Sequence, residues 1–227
     1  MPATDLIAPD FLRAVLQSVQ CHYRAWTAGI HHKDVALGNL MYSAGMNGEP
    51  LGILVDWDIA RRKDTTQINR SGTIPFVALD FLRSPDKHIE HLYRHDLEAM
   101  FWVLVRACYP KGTFRNWASH NCYVEMLAFS DSDTSKVTIS TGKWGPLRRH
   151  GIKDDWKGVG VVMGDLNVYW YDRRLKARSM ERAAYRARHW GEHAASAGDV
   201  DDEESPQQVW QSFCEQLQST LAILYER

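Results

Sequence analysis

The stretch that most constrains the fold is residues 29–60, GIHHKDVALGNLMYSAGMNGEPLGILVDWDIA, because it places polar residues at both ends of a hairpin pattern. Two apolar runs, 40–42 and 51–55, flank the sequence Gly-Met-Asn-Gly, whose residue types favour a tight turn between strands. Asn39 directly precedes the first run, and Asp56 directly follows the second. An antiparallel hairpin would therefore hold an amide oxygen and a carboxylate at neighbouring strand ends.

A second carboxylate, Asp34, lies five residues before Asn39 on what should be a single loop. Any one of Asp34, Asn39 and Asp56 alone is readily explained as a turn former or strand cap, because Asp and Asn are favoured in turns for local reasons. The three together, at this spacing and between these strands, favour a functional site. Carboxylate and amide oxygens are the hard ligands that Mg²⁺ accepts, with water and phosphate completing its coordination.

Apolar residues at helical spacing predict a long, half-buried helix from Asp10 to Gly29, preceded by a frayed lead-in at residues 1–9. The end of this helix leads directly into the loop that carries Asp34, so its packing should set the position of that carboxylate. His32 is predicted to bond backbone near the second strand and to steady the loop. A metal site of neighbouring histidines is disfavoured, because no carboxylate or cysteine stands at ligand spacing.

The remaining sequence predicts further helices and one linker. His-Asp-Leu-Glu at residues 95–98 opens an apolar helix, for which Asp96 is a candidate N-cap. The glycine-rich run 158–164 is predicted to be a loop or strand turn, and the basic run 173–189 to be a solvated helix face. Residues 193–205 form an acidic linker, and residues 206–227 form a closing amphipathic helix that should dock on the rest of the chain.

Composition favours an ordinary globular protein. The 227 residues are 44% hydrophobic and 24% charged, enough for one good core. A net charge of −1 predicts neither a nucleic-acid partner nor an anionic membrane surface. No signal peptide is recognisable, the apolar run 99–105 is too short to span a bilayer, and the four cysteines contain no C-x-x-C pair. An intracellular protein of the cytoplasm or nucleus is the resulting expectation.

Four motifs in order resemble those of the protein kinases, and the run from Phe11 to Arg106 resembles the C-terminal lobe of the fungal-type protein kinases. The first two are His-x-Asp-x-x-x-x-Asn, ending at Asn39, and Val-Asp-Trp-Asp around Asp56. The other two are Ser-Gly-Thr at residues 71–73, followed by Phe76 and Ala78, and His-Asp-Leu-Glu at residues 95–98. The resemblance implies a mainly α fold with small β-hairpins (α+β), of the protein kinase-like C-terminal-lobe type.

The resemblance also implies roles for individual residues. Asp34 would accept or orient the acceptor hydroxyl, and Asn39 and Asp56 would hold Mg²⁺ against the phosphates of ATP. Thr73 would bond the catalytic loop, and Asp80 would pair with a distant arginine, for which the run 173–188 offers candidates. Asp96 would accept backbone donors from the catalytic loop, as an alternative or in addition to capping its helix. His32 and Lys33 complete the supporting residues of the loop.

Several positions depart from the kinase pattern. Lys33 stands where protein kinases usually have arginine, Ala36 replaces a phosphate-facing lysine, and Trp57 and Asp58 replace the Phe and Gly of Asp-Phe-Gly. No Gly-x-Gly-x-x-Gly followed by a strand lysine precedes Asp34, so the N-terminal lobe is expected to be absent. The expected organisation is a kinase-like lobe over residues 1–192, with the motifs in 11–106 and a divergent insert at 111–192, then the linker and the closing helix.

Three hypotheses about function remain open on the sequence. The first is an ATP- and Mg²⁺-dependent phosphotransferase lobe acting on Ser/Thr hydroxyls of a protein substrate. The second is a pseudokinase or truncated binding module, which the expected absence of the N-terminal lobe favours. The third is a small-molecule kinase similar to the aminoglycoside and choline phosphotransferases, which share the Gly-Asn-Leu and Asp-Trp steps.

Overall fold

The computed structural model describes residues 1–58, 60–62, 72–83, 89–109, 123, 126–127, 152–190 and 204–225. Within these ranges the chain forms five α-helices and four short strands. The helices are α1 Ala8–Thr27, α2 Leu79–Arg83, α3 Tyr93–Cys108, α4 Lys157–Trp190 and α5 Pro206–Tyr225. The strands are β1 Ile30–His31, β2 Leu40–Ala44, β3 Pro50–Leu54 and β4 Arg61–Arg62. The predicted mainly helical α+β class is confirmed.

The strands form two small antiparallel pairs. β2 pairs with β3 in a register that sets Leu40 opposite Leu54 and Ala44 opposite Pro50. β1 pairs with β4, so the chain that leaves the hairpin returns to β1, just before the loop that carries Asp34. The predicted Gly-Met-Asn-Gly turn is confirmed, because the Gly45 N–H donates to the Glu49 carbonyl and the Gly48 N–H donates to the Gly45 carbonyl.

Helix α1 begins two residues earlier than predicted and ends at Thr27. Its apolar face, which includes Phe11, Leu12, Val15 and Val19, is fully buried. Gly29 stops the helix at φ +80, a left-handed conformation that glycine adopts without steric cost. The helix therefore delivers the chain to β1 at a fixed point of the core.

A close contact between α1 and β3 fixes the hairpin on the helix. A Cβ placed on Gly52 would lie 2.2 Å from the Ala14 carbonyl oxygen, so only glycine lets the strand approach this closely. The Gly52 N–H also donates to Gln17 Oε1 at 2.6 Å. These contacts position both ends of the hairpin relative to α1.

The predicted frayed lead-in is wrong. The Met1 ammonium donates to the Tyr42 carbonyl at 2.9 Å, and the Met1 carbonyl accepts from the Tyr42 N–H at 2.7 Å. Pro2 forms a bridge with Met41, and Ala3 is fully buried. The first residues are held because they supply the backbone partners that the outer edge of β2 would otherwise lack.

Helix α3 is the centre of the core, and nearly all of its side chains are buried. Helix α5 packs on α1, α3 and α4, which confirms that the closing helix docks on the rest of the chain. The glycine-rich run 158–164 lies inside α4, so the predicted loop is wrong. Its glycines serve close packing: a Cβ on Gly158 would lie 2.2 Å from Leu224, and one on Gly160 would lie 2.6 Å from Ile152.

Most of the predicted linker, and the insert as far as residue 151 apart from residues 123, 126 and 127, lie outside the described residues. The described part of residues 173–189 forms a largely exposed helix, as predicted. In the portions of the chain that the structure describes, no helix combines the length and apolar character needed to cross a membrane.

Candidate functional site

The site is built on the loop between β1 and β2, residues 32–39, which is called the site loop below. Two residues at this site adopt positive φ without being glycine: Lys33 at φ 67, and Asp56 at φ 64 after β3. A side chain in the left-handed region costs free energy and persists only where its surroundings impose it. The backbone on both sides of the site is therefore held in place by its contacts.

Asn39 and Asp34 are joined across the site loop. Asn39 Nδ2 donates to the Asp34 carbonyl at 2.9 Å and lies 3.5 Å from Asp34 Oδ2. Because a carbonyl oxygen can only accept, the amide nitrogen must face Asp34. The amide oxygen of Asn39 then faces away from Asp34, and no hydrogen-bond donor to it is found among the described residues.

Thr73 lies against the Asp34 carboxylate. Its backbone N–H donates to Asp34 Oδ1 at 2.7 Å, and its hydroxyl donates to the same oxygen at 2.8 Å. Two donors on Oδ1 fix the carboxylate plane, while Oδ2 makes only the long contact with Asn39. Asp34 therefore has one oriented oxygen and one that can accept a further proton donor.

Asp56 is positioned through the hairpin. The Val55 N–H donates to the Asn39 carbonyl at 2.9 Å, which extends the β2–β3 pairing by one step beyond Leu40 and Leu54. Asp56 is the next residue along the chain and is exposed. Asn39 and Asp56 thus stand at neighbouring strand ends.

His32 connects the two halves of the site. Its Nε2 lies 3.0 Å from the Val55 carbonyl, and its Nδ1 accepts the Asp34 N–H at 3.2 Å. Because the carbonyl requires a donor and the N–H requires an acceptor, His32 must be the neutral Nε2–H tautomer. Burial lowers the pKa of His32, which keeps it in this form. Its contact with backbone near the second strand is the one predicted.

Asp96 has a different environment from the one predicted. It lies inside the first turn of α3 rather than at its N-cap, and the residue is 2% exposed. His22 Nε2 lies 2.9 Å from Oδ2, and His91 Nε2 lies 2.7 Å from Oδ1. Burial alone would raise the pKa of Asp96, but His91 and His22 outweigh it and hold that pKa well below its usual value. The bonded donors are thus histidine side chains and not loop amides.

The arginine partner of Asp80 is nearby in sequence. Arg94 Nη1 donates to Asp80 Oδ2 at 2.6 Å, so the expected pairing with a distant arginine of the run 173–188 is wrong for the described residues. His95 Nε2 lies 3.5 Å from the same oxygen. Contact with His95 and the Arg94 charge hold the pKa of Asp80 below its usual range, although burial opposes them. The pair ties α2 to the start of α3.

Histidines buried in neutral form predict that the protein loses stability in mild acid. Burial lowers the pKa of His95 and of His31 from 6.5 to about 4. As the pH falls from 6.5 towards 4, the unfolded chain takes up protons that the folded chain does not. The free energy of unfolding should therefore fall by up to about 1.4 kcal/mol per pH unit for a fully buried histidine such as His95.

Urea denaturation at about pH 7 and about pH 5 checks this prediction. His95 alone should lower the free energy of unfolding by up to about 2 kcal/mol between these two pH values. Glu98 has the opposite effect on the free energy of unfolding at the lower pH values where carboxylates titrate. Burial raises its pKa, so the folded chain takes up this proton before the unfolded chain does. A His95→Gln variant should have a shallower pH dependence than the unmodified chain. An equal pH dependence in the two proteins would contradict the assignment.

The residues that the structure describes contain no cluster of three or more His, Cys, Asp or Glu side chains that could hold a metal ion. The histidines near Asp96 therefore give no support to a histidine metal site. Asn39 and Asp56 are a different kind of donor set, namely an amide oxygen and one carboxylate. That set suits a cation such as Mg²⁺, which commonly takes one or two protein oxygens together with phosphate and water.

A comparison with protein families finds a match for this part of the chain. Residues 8–108 match the model of a family described as fungal protein kinase. The matched region begins at α1, includes the site loop and the hairpin, and ends with α3 at Cys108. The family predicted from the sequence motifs is thereby confirmed for these residues. No curated protein matches the chain.

Proposed function

We propose that this chain, which carries a fungal protein kinase-like domain, is a phosphotransferase lobe that transfers the γ-phosphoryl group of ATP to Ser/Thr hydroxyls. The observation that carries the proposal is the arrangement of three residues. Asp34 and Asn39 are hydrogen-bonded within the site loop, and the Asn39 carbonyl is bonded to Val55, directly before Asp56. Phosphoryl transfer depends mainly on such positioning and on charge, with little covalent work for the protein.

In this proposal Asp34 orients the acceptor. Its Oδ1 is committed to Thr73, so its Oδ2 accepts the proton of a serine or threonine hydroxyl brought to the site. The Asn39 amide oxygen and the Asp56 carboxylate would hold Mg²⁺. When bound, the ion would neutralise charge on the nucleotide phosphates. His32 fixes the site loop against the end of β3, because it contacts both the Val55 carbonyl and the Asp34 N–H.

A protein substrate is favoured over a small molecule by the segment that follows the site. Residues 72–78 contact Asp34 through Thr73, and this segment continues directly into α2. The α2 helix is anchored by the Asp80–Arg94 pair and by the Leu79 N–H, which donates to Glu98. An anchored segment beside the acceptor position gives an extended polypeptide a surface to lie against.

Nucleotide binding that requires Mg²⁺ is the test of the proposal. Millimolar ATP with Mg²⁺ should raise the melting temperature, because a ligand at ten times its dissociation constant stabilises by about 1.4 kcal/mol. ATP with EDTA should give a much smaller shift, and Asp56→Asn should remove most of the Mg²⁺-dependent part. No shift at millimolar Mg·ATP, or equal shifts with and without the metal, would contradict the proposal and favour a non-catalytic module.

A further inference from the structure

The segment 72–78 connects the site loop to α2. Thr73 contacts Asp34 near the beginning of this segment, and α2 begins directly after its end. The Phe76 N–H donates to the Thr73 carbonyl at 2.7 Å, and Phe76 and Ala78 are buried. The segment is thus short and packed against the core, so a displacement of α2 would also displace Thr73.

The first residue of α2 is bonded to a buried acidic residue of α3. Helix α2 begins at Leu79, whose N–H has no partner within its own helix, as is general for the first N–H groups of a helix. Glu98 Oε1 accepts this N–H at 3.2 Å. Glu98 is 4% exposed and Leu79 is 3% exposed, so water cannot readily replace the acceptor. Loss of the Glu98 carboxyl group would leave a buried N–H unpaired.

A carboxyl group is costly at the position of Glu98. Burial raises its pKa, and the positive charge of Arg174 and the bond from Leu79 only partly oppose this effect. An apolar side chain of similar size would fill the same space without the cost of burying a polar group. What the apolar side chain would not supply is an acceptor for the Leu79 N–H.

We infer that Glu98 is a positioning residue, which holds α2 and the segment 72–78 through the Leu79 N–H and thereby keeps Thr73 on Asp34 Oδ1. Glu98 acts through Thr73, whose N–H and hydroxyl both donate to that oxygen. The consequence for phosphoryl transfer rests on the proposed function, whereas the placement of Thr73 does not. The Asp80–Arg94 pair remains as a second anchor, so loss of the Glu98 contact should loosen α2 without releasing it.

Amide hydrogen exchange of Thr73, followed by nuclear magnetic resonance, tests the placement directly. Glu98→Met is similar in size but has no oxygen acceptor. It should speed exchange of the Thr73 amide by about five-fold, the effect of one lost hydrogen bond of ordinary strength. Glu98→Gln keeps a carbonyl oxygen for the Leu79 N–H, so its Thr73 exchange should stay close to that of the unmodified chain.

Leu217→Ala is the control for a general loss of stability. Leu217 is fully buried in α5, which packs on α1, α3 and α4. Its truncation should destabilise the chain by removing core contacts. Thr73 is exposed, so its amide exchanges through local opening and should keep its exchange rate in Leu217→Ala. A merely structural role of Glu98 would likewise leave Thr73 exchange unchanged.

Leu79→Pro removes the donor of the same hydrogen bond and decides the question if Glu98→Met does not fold. Proline is well tolerated at the first position of a helix, because the N–H that it lacks has no partner within the helix. Leu79→Pro should speed Thr73 exchange as Glu98→Met does. The double variant should exchange no faster than either single variant, because both changes remove one contact.

Phosphoryl transfer from Mg·ATP is the second measurement. Glu98→Met should lower the transfer rate by about ten-fold, within the range that misplacement of a positioned group costs. The melting shift with Mg·ATP should not change, because Asn39 and Asp56 belong to the hairpin and not to the segment 72–78. If the unmodified chain transfers no phosphate, the proposed function is contradicted, and Thr73 exchange alone decides the inference.

Four results would overturn the inference. The first is a Thr73 amide that is unprotected in the unmodified chain, and the second is Thr73 exchange that neither Glu98→Met nor Leu79→Pro changes. The third is equal acceleration by Leu217→Ala or by Glu98→Gln, since neither removes the acceptor. The fourth is faster Thr73 exchange with an unchanged transfer rate, which would exclude a role in positioning Asp34.

Discussion

Replacing Asp34 with asparagine should lower phosphoryl transfer by about 10²- to 10⁴-fold, the usual contribution of a positioned general base. The amide would keep the shape of the side chain and could still accept from Thr73, so the site loop should keep its conformation. It would lose the negative charge and the basicity that Oδ2 offers to an acceptor hydroxyl. The measurement is transfer of labelled phosphate from Mg·ATP to a generic protein by the purified chain.

Asp154→Asn is the control for this experiment, because Asp154 is an exposed aspartate far along the chain with a side chain that is 90% exposed. It should leave transfer unchanged. Melting curves of the three proteins should coincide, which separates a chemical effect from unfolding. Equal transfer by the unmodified chain and by Asp34→Asn would end the claim that Asp34 takes part in catalysis.

Replacing Asp96 with alanine should lower the free energy of unfolding by about 3–5 kcal/mol, the range for removing one partner from a buried charged network. The carboxylate bonds His22 on α1 and His91 just before α3, so its loss leaves two histidines without their acceptor. His22 is 1% exposed, so water cannot readily replace the lost contact. Urea denaturation measures the change.

The Asp96→Asn variant should lie between the alanine variant and the unmodified chain. Its single side-chain oxygen can accept from only one of the two histidines, and its amide group would face the other as a second donor. The exposed Asp154→Asn change should alter the free energy of unfolding by less than about 0.5 kcal/mol. A loss below about 1 kcal/mol for Asp96→Ala would mean that the buried bridge contributes little to stability.

The hairpin and α1 could be predicted because their signals are local. Turn residues between two apolar runs define β2 and β3, and the 3.6-residue periodicity defines the buried face of α1. The hairpin then determines that Asn39 and Asp56 stand at neighbouring strand ends, which the Asn39–Val55 hydrogen bond reflects. This part of the candidate site followed from the sequence because it lies within one continuous stretch.

Contacts between distant segments could not be predicted in the same way. His22 and Asp96 are 74 residues apart, and no local pattern links them. The choice of Arg94 for Asp80 depends on how α2 packs against α3, which residue spacing does not specify. The glycine-rich run 158–164 predicts a loop or strand turn, yet Gly158 and Gly160 lie inside α4 and allow close packing against Leu224 and Ile152.

The proposed phosphotransferase requires the Asn39 amide oxygen and the Asp56 carboxylate to share one divalent cation. Mn²⁺ can replace Mg²⁺ at oxygen sites and is visible by electron paramagnetic resonance. In the presence of ADP, the chain should reduce the free Mn²⁺ signal, while Asn39→Ala and Asp56→Asn should each largely abolish that reduction and Asp154→Asn should not. Equal Mn²⁺ binding by all four proteins would contradict the claim.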